Sequence, residues 1–119
     1  MNWYIAKLVY RITCGHRLHT AQFDEQLRLV KATDIGEAFQ KSKEIGIKDQ
    51  ESFFNQDQQL VKWEFIDVSE IYPVRELRDG TEIYSRVEEK ENADFYIHIV
   101  HSKARAISAG NHPHLVNLA

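Results

Sequence analysis

The stretch Leu60–Tyr72, LVKWEFIDVSEIY, decides the fold. It is the longest run in the chain that reads as a β-strand, and it carries one of the two tryptophans. Side chains alternate between the two faces of a strand. Val61, Trp63 and Phe65 therefore share one face, and Lys62 and Glu64 the other. After Phe65 the alternation slips, because Ile66 and Val68 take the parity that was polar. A one-residue slip sends every later side chain to the opposite face. The run thus predicts a β-bulge at Phe65–Ile66 that returns Ile66 and Val68 to the face of Trp63. Pro73 has no amide donor and is expected to end the pairing.

Upstream, Thr33-Asp34 opens a helix, with Asp34 as N-cap and Glu37 at the capping-box position. Ile35, Ala38, Phe39, Ser42 and Ile45 recur at helical spacing. This stripe is expected to meet the strand face that carries Trp63. Gly46 reads as the stop. Lys48–Gln59 is polar and reads as a loop, with Phe53-Phe54 either plugging it onto the core or forming an exposed contact patch.

At the start of the chain, Asn2–Thr13 reads as a strand with Tyr4, Ala6, Leu8, Tyr10 and Ile12 on one face and Trp3, Ile5 and Val9 on the other. Apolar residues on both faces mark a central strand, or one whose second face meets a partner. Cys14-Gly15-His16 is a turn candidate. Glu25–Ala32 reads as a second strand, antiparallel to the first, with Leu27 and Leu29 on one face and Val30 on the other.

Downstream, Asp79-Gly80 is a turn signal and Glu82–Val87 alternates as a fourth strand. A second helix starts at Asn92 or Asp94, with Tyr96, Ile99, Val100, Lys103, Ala104 and Ile107 as its stripe. The expected architecture is α+β: a single domain, β-β-α-β-β-α, with a mainly antiparallel four-stranded sheet and two helices. It covers residues 1–108, and residues 109–119 form a C-terminal tail.

Composition narrows the function classes. At 119 residues the chain is one domain long. With 43% hydrophobic and 28% charged residues it is globular rather than disordered. A net charge of −3 gives no electrostatic case for binding phosphate backbones, so no nucleic-acid partner is expected. The lone cysteine, Cys14, cannot form an intrachain disulfide, which fits a reducing cytoplasm. No run approaches the ~20 apolar residues of a membrane span, and the opening stretch is too short for a signal sequence. The expectation is a soluble, cytoplasmic protein with no membrane partner.

Three passages, WYIAKLVYRI from Trp3, LRLVKATDIGEAFQKSKEIG from Leu27 and DGTEIYSRV from Asp79, add a resemblance. Their Trp-Tyr opening, Ala-x-x-x-x-x-Ala-Phe helix entry and Gly-Thr-Glu-x-Tyr-Ser segment make the chain similar to a bacterial family, domain of unknown function 4288, over Asn2 to Val87. The resemblance implies a small stand-alone α+β domain. It implies no activity and transfers no functional residue.

The residues themselves offer few chemical candidates. His98 and His101 are three apart on the second helix, so they can share a divalent metal if a third ligand, His112 or His114, returns from the tail. The bland alternative is a pair of exposed polar-face histidines. Cys14 and His16 flank one glycine, but a nucleophile needs a lowered pKa and an oriented base, which a turn does not supply. No Gly-rich phosphate loop, G-x-S-x-G or H-E-x-x-H occurs. No catalytic residue and no cofactor are therefore expected.

What remains is the second face of the first strand. Large apolar patches mark association, and symmetric dimers are the commonest homo-oligomers. The leading expectation is a non-enzymatic domain acting through protein–protein contacts, as a homodimer or with another protein, through Trp3, Ile5, Val9, Phe53 and Phe54. The alternative class is a metal- or small-ligand-binding protein that uses the clustered histidines. A third is a partner-neutralising protein of the immunity type, which the acidic balance permits.

Overall fold

The computed structural model describes residues 1–15 and 20–110. The fold is α+β, in the order β1 (Asn2–Cys14), β2 (Gln22–Ala32), α1 (Ile35–Lys48), β3 (Glu51–Phe54), β4 (Leu60–Val74) and α2 (Ala93–Ser108). The strands form one sheet in the order β2-β1-β4-β3, with every neighbouring pair antiparallel. Two compact units are resolved, Met1–Ser85 and a second that begins at Arg86.

β1 is the central strand because both its faces are apolar. Tyr4, Ala6, Leu8, Tyr10 and Ile12 are all buried on the face turned to α1. Ala6, Leu8 and Tyr10 join Val30 of β2 in a core that Ile45 of α1 and Trp63, Phe65, Val68 and Ile71 of β4 complete. The Trp63 face of β4 thus meets the stripe of α1, as its alternation requires.

The expected bulge is present. Val9 pairs with Asp67 and Tyr10 with Phe65, so Ile66 is the extra residue. A second irregularity follows, because Lys7 pairs with Glu70 and Leu8 with Val68, which leaves Ser69 over. The two insertions change the spacing of core-facing residues from two to three: Phe65, Val68 and Ile71 all reach the α1 side. Ile66 itself does not return to that face. As the inserted residue it stays 53% exposed.

α1 is capped as its sequence specifies. The Asp34 carboxylate accepts from the Glu37 amide (2.8 Å), and Glu37 reaches back to accept from the Thr33 hydroxyl (2.6 Å) and amide (3.3 Å). Its buried line is Ala38, Ser42 and Gly46, one small residue per turn, which lets the helix lie close on the sheet. Gly46 is not the stop. The helix continues to Lys48, and a Cβ at position 46 would overlap the Phe65 ring. Tyr10 donates its hydroxyl to the Gly46 carbonyl (3.0 Å) and fixes the same spot from β1.

Three expectations need correction. Lys48–Gln59 is not all loop: Glu51–Phe54 forms β3 and pairs with Leu60–Trp63. Glu82–Val87 is not a strand, since it has no sheet neighbour, and Val87 is 94% exposed. Pro73 does not end β4, because Tyr4 pairs with Pro73 and Trp3 with Val74. Beyond Trp63, β4 has β1 on one side and, among the described residues, no strand on the other, and a residue without an amide donor is tolerated at such an edge.

In the second unit, Asn92 caps α2 by accepting from the Phe95 amide (3.0 Å). Lys90 lies over the Tyr96 ring at 5.2 Å. The Glu88 carboxyl is held below its usual range by its bond to Lys90 (2.9 Å). No residue of α2 is buried.

Candidate functional site

The strand register sorts the sheet's residues into two unlike faces. On β2 the even positions face α1 and the odd positions face away. The α1 side carries a closed polar chain. Asp24 accepts from Trp63 Nε1 (3.1 Å) and Gln26 Nε2 (2.7 Å). Gln26 in turn accepts from Arg28 Nε (3.0 Å) and Nη2 (2.7 Å), and Arg28 Nη1 reaches Asp49 (2.9 Å). Each of these groups already holds a partner, so the chain ties β2, β4 and the end of α1 together and leaves no donor aimed at a ligand.

The opposite face mixes apolar and charged side chains and is divided. Over its β4 half it is covered. Ile5 and Val74 are buried, and Tyr84 packs edge-on against Tyr72 at 5.4 Å with 78° between ring planes. Lys7 points into this half, 5.6 Å from the Tyr84 ring and 2.9 Å from Glu70. The bond to Glu70 raises the Lys7 pKa, and a hydrogen bond of Tyr72 to the same carboxylate raises that of the Tyr72 hydroxyl. Over its β2 half the face is open: Phe23 is 53%, Leu27 50% and Leu29 45% exposed. Glu25 and Lys31 flank the leucines on the same face, and Lys31 rests over the Trp3 ring at 5.2 Å.

The residues singled out by sequence fall in three places. Trp3, Ile5 and Val9 do lie on this second face of β1, Trp3 and Val9 half-buried and Ile5 buried. Phe53 and Phe54 lie on β3 and point to opposite faces. Phe53 stacks on Trp63 at 6.1 Å on the α1 side, and Phe54, more exposed, lines a hollow with Thr13, Gln59 and Lys62. His98 and His101 are exposed on α2. His112 and His114 lie outside the described residues, and among those described no group of three or more His, Cys, Asp or Glu could hold a metal. Cys14 is a free thiol within 3.5 Å of Gln59 and 3.4 Å of Asn55, while His16 lies outside the described residues.

Phe23, Leu27 and Leu29 are absent from the sequence-based list of contact residues. The signal was available in the odd positions of FDEQLRLVK, which read Phe, Glu, Leu, Leu, Lys, the inverse of a strand with one solvated polar face.

A four-stranded antiparallel sheet with α1 packed on it and a partly exposed apolar margin defines a small α+β domain. Residues 3–85 match the family model Domain of unknown function (DUF4288), and the chain belongs to that family. The match ends where the first compact unit ends, at Ser85. Neither a curated protein nor a solved structure matches the chain.

Proposed function

We propose that this protein is a non-enzymatic domain that acts through protein–protein contacts, and that the open half of the second sheet face is its contact surface. One observation carries the reading. Leu27 and Leu29 are neighbours and Phe23 lies beyond Glu25 on the same face, each about half exposed, on a strand held in unbroken register by β1. Exposed apolar side chains on a rigid element lose little conformational freedom on binding, and grouped patches of this kind mark association sites. The lone cysteine supports a cytoplasmic setting, and the family resemblance supports a bacterial one.

The test is sedimentation velocity over a wide concentration range. The wild-type chain self-associates, and the double variant Leu27→Glu/Leu29→Glu is monomeric. Its thermal unfolding stays within the range of about 0.5 kcal/mol typical of surface changes. A variant that associates as the wild type does overturns the reading of this face as the contact surface.

A further inference from the structure

From the two free edges of the sheet we infer that the partner is a second copy of this chain, joined edge to edge through β2 in an antiparallel register centred on Arg28. This rests on the contact reading above and gives it a partner and a geometry.

The two edges differ in how they are protected. Beyond Trp63, β4 presents an edge that is blocked at intervals. Ile66 and Ser69 are inserted, the Phe65 amide donates to the Gln50 side chain (2.9 Å), the Val68 amide donates to the Asp67 carboxylate (2.8 Å), and Pro73 has no amide at all. These are the devices by which sheets avoid pairing with other chains. β2 has neither an inserted residue nor a proline, although Asp24, Arg28 and Lys31 place charge along it. Its 11 residues contain no proline, and Gln22 to Ala32 pair with β1 without a bulge. Among the described residues, the side chain seen on its backbone is that of Lys41, whose Nζ donates to the Lys31 carbonyl next to the strand's end (3.0 Å).

The sequence of that edge is complementary to itself. Two β2 strands paired antiparallel about Arg28 place Leu27 opposite the second copy's Leu29, and Glu25 opposite its Lys31. Symmetry repeats both pairs. Directly opposed side chains have Cβ atoms roughly 4.5–5.5 Å apart, within reach for apolar contact and for an ion pair. All four residues lie on the second face. A centre one residue earlier would set Leu29 against Glu25 and Phe23 against Lys31, wasting both kinds of match. The cost of the favoured register is Arg28 beside its own copy on the α1 side. Each Arg28 is already paired with Asp49 at 2.9 Å, which offsets the repulsion. A flat face-to-face dimer fits less well, because Tyr84 already occupies the β4 half of that face.

The test exchanges charges and reads dimer affinity by sedimentation. Glu25→Lys alone sets lysine against lysine twice, and Lys31→Glu alone sets glutamate against glutamate twice. Each weakens the homodimer by about tenfold or more. The double variant Glu25→Lys/Lys31→Glu returns to within about threefold of wild type, since the pairs are re-formed with reversed sign. A mixture of the two single variants forms heterodimers in preference to either homodimer. Circular dichroism of each variant verifies that the exposed substitutions leave the fold intact. A dimer that ignores both single reversals, or a double variant as weak as the singles, overturns the edge register and leaves the contact surface standing. A wild-type monomer at every concentration overturns the second copy as the partner.

Discussion

The α1 side of the sheet and its opposite face are built from the same strands, yet along part of β2 they invert the usual rule. Between Phe23 and Leu29 of β2, the half-buried inward positions are Asp24, Gln26 and Arg28, while the outward positions Phe23, Leu27 and Leu29 are apolar and about half exposed. Inside, polarity is tolerated because each group is matched: Trp63, Gln26, Arg28 and Asp49 hand hydrogen bonds along a chain. A buried polar group is costly only when it is left unpaired. Outside, Leu27 and Leu29 stay about half exposed, and grouped apolar exposure is the general mark of association surfaces on which the proposed contact rests. Burial is thus set by what stands opposite a side chain, and hydropathy alone does not fix it.

Breaking the α1 side should cost most at Trp63. It closes the core beside Phe65, stacks on Phe53 and donates to Asp24. Trp63→Ala should lose about 3 kcal/mol of stability in chemical denaturation. A loss under about 1 kcal/mol, the range of surface changes, would place Trp63 with the outer residues instead.

Gly46→Ala tests how closely the helix lies on the sheet. The added methyl meets the Phe65 ring, and overpacking of this kind costs about 2 kcal/mol. In a Phe65→Leu background the same substitution should cost clearly less, because the obstructing ring is gone. An equal cost in both backgrounds would mean that close approach is not what holds glycine there.

Tyr10→Phe removes a single buried hydrogen bond, to Gly46, and should cost about 1 kcal/mol at neutral pH. Its sharper signature is alkaline. Burial raises the Tyr10 pKa in the folded state. The folded protein therefore keeps this proton where the unfolded chain has lost it. The associated stability is complete below about pH 10, the ordinary tyrosine value, and is lost as pH rises through the folded value. Tyr10→Phe should fall less steeply with pH in that window. Lys7 and Tyr72, raised through Glu70, titrate in the same direction, so part of the slope remains. Identical alkaline profiles for the two proteins would remove Tyr10 from the account.

The sequence carried the α1 side better than the outer one. The bulge at Ile66 was legible because a break in alternation is local, visible in five consecutive residues. The second insertion, at Ser69, left the same trace in the spacing of Val68 and Ile71 but was masked by the first. β3 was not legible, since four residues in a polar segment become a strand only because β4 offers them an edge. Glu82–Val87 failed in the opposite way: it alternates, but alternation only permits a strand, and pairing requires a neighbour. For the contact surface, β1 announced a second apolar face through Trp3, Ile5 and Val9. Which part of that face stays open depended on Tyr84 covering the β4 half, a long-range contact that no local pattern encodes.

The two insertions in β4 also bear on how large an assembly can grow. A sheet with two straight edges adds copies at both sides and runs on without limit, as fibrils do. A sheet with one straight edge closes after a single addition, because each partner's binding edge is consumed in the pair. Ile66 and Ser69 sit on the edge opposite β2. In the proposed pairing through β2, insertions on that side would leave two as the stopping number rather than the start of a polymer.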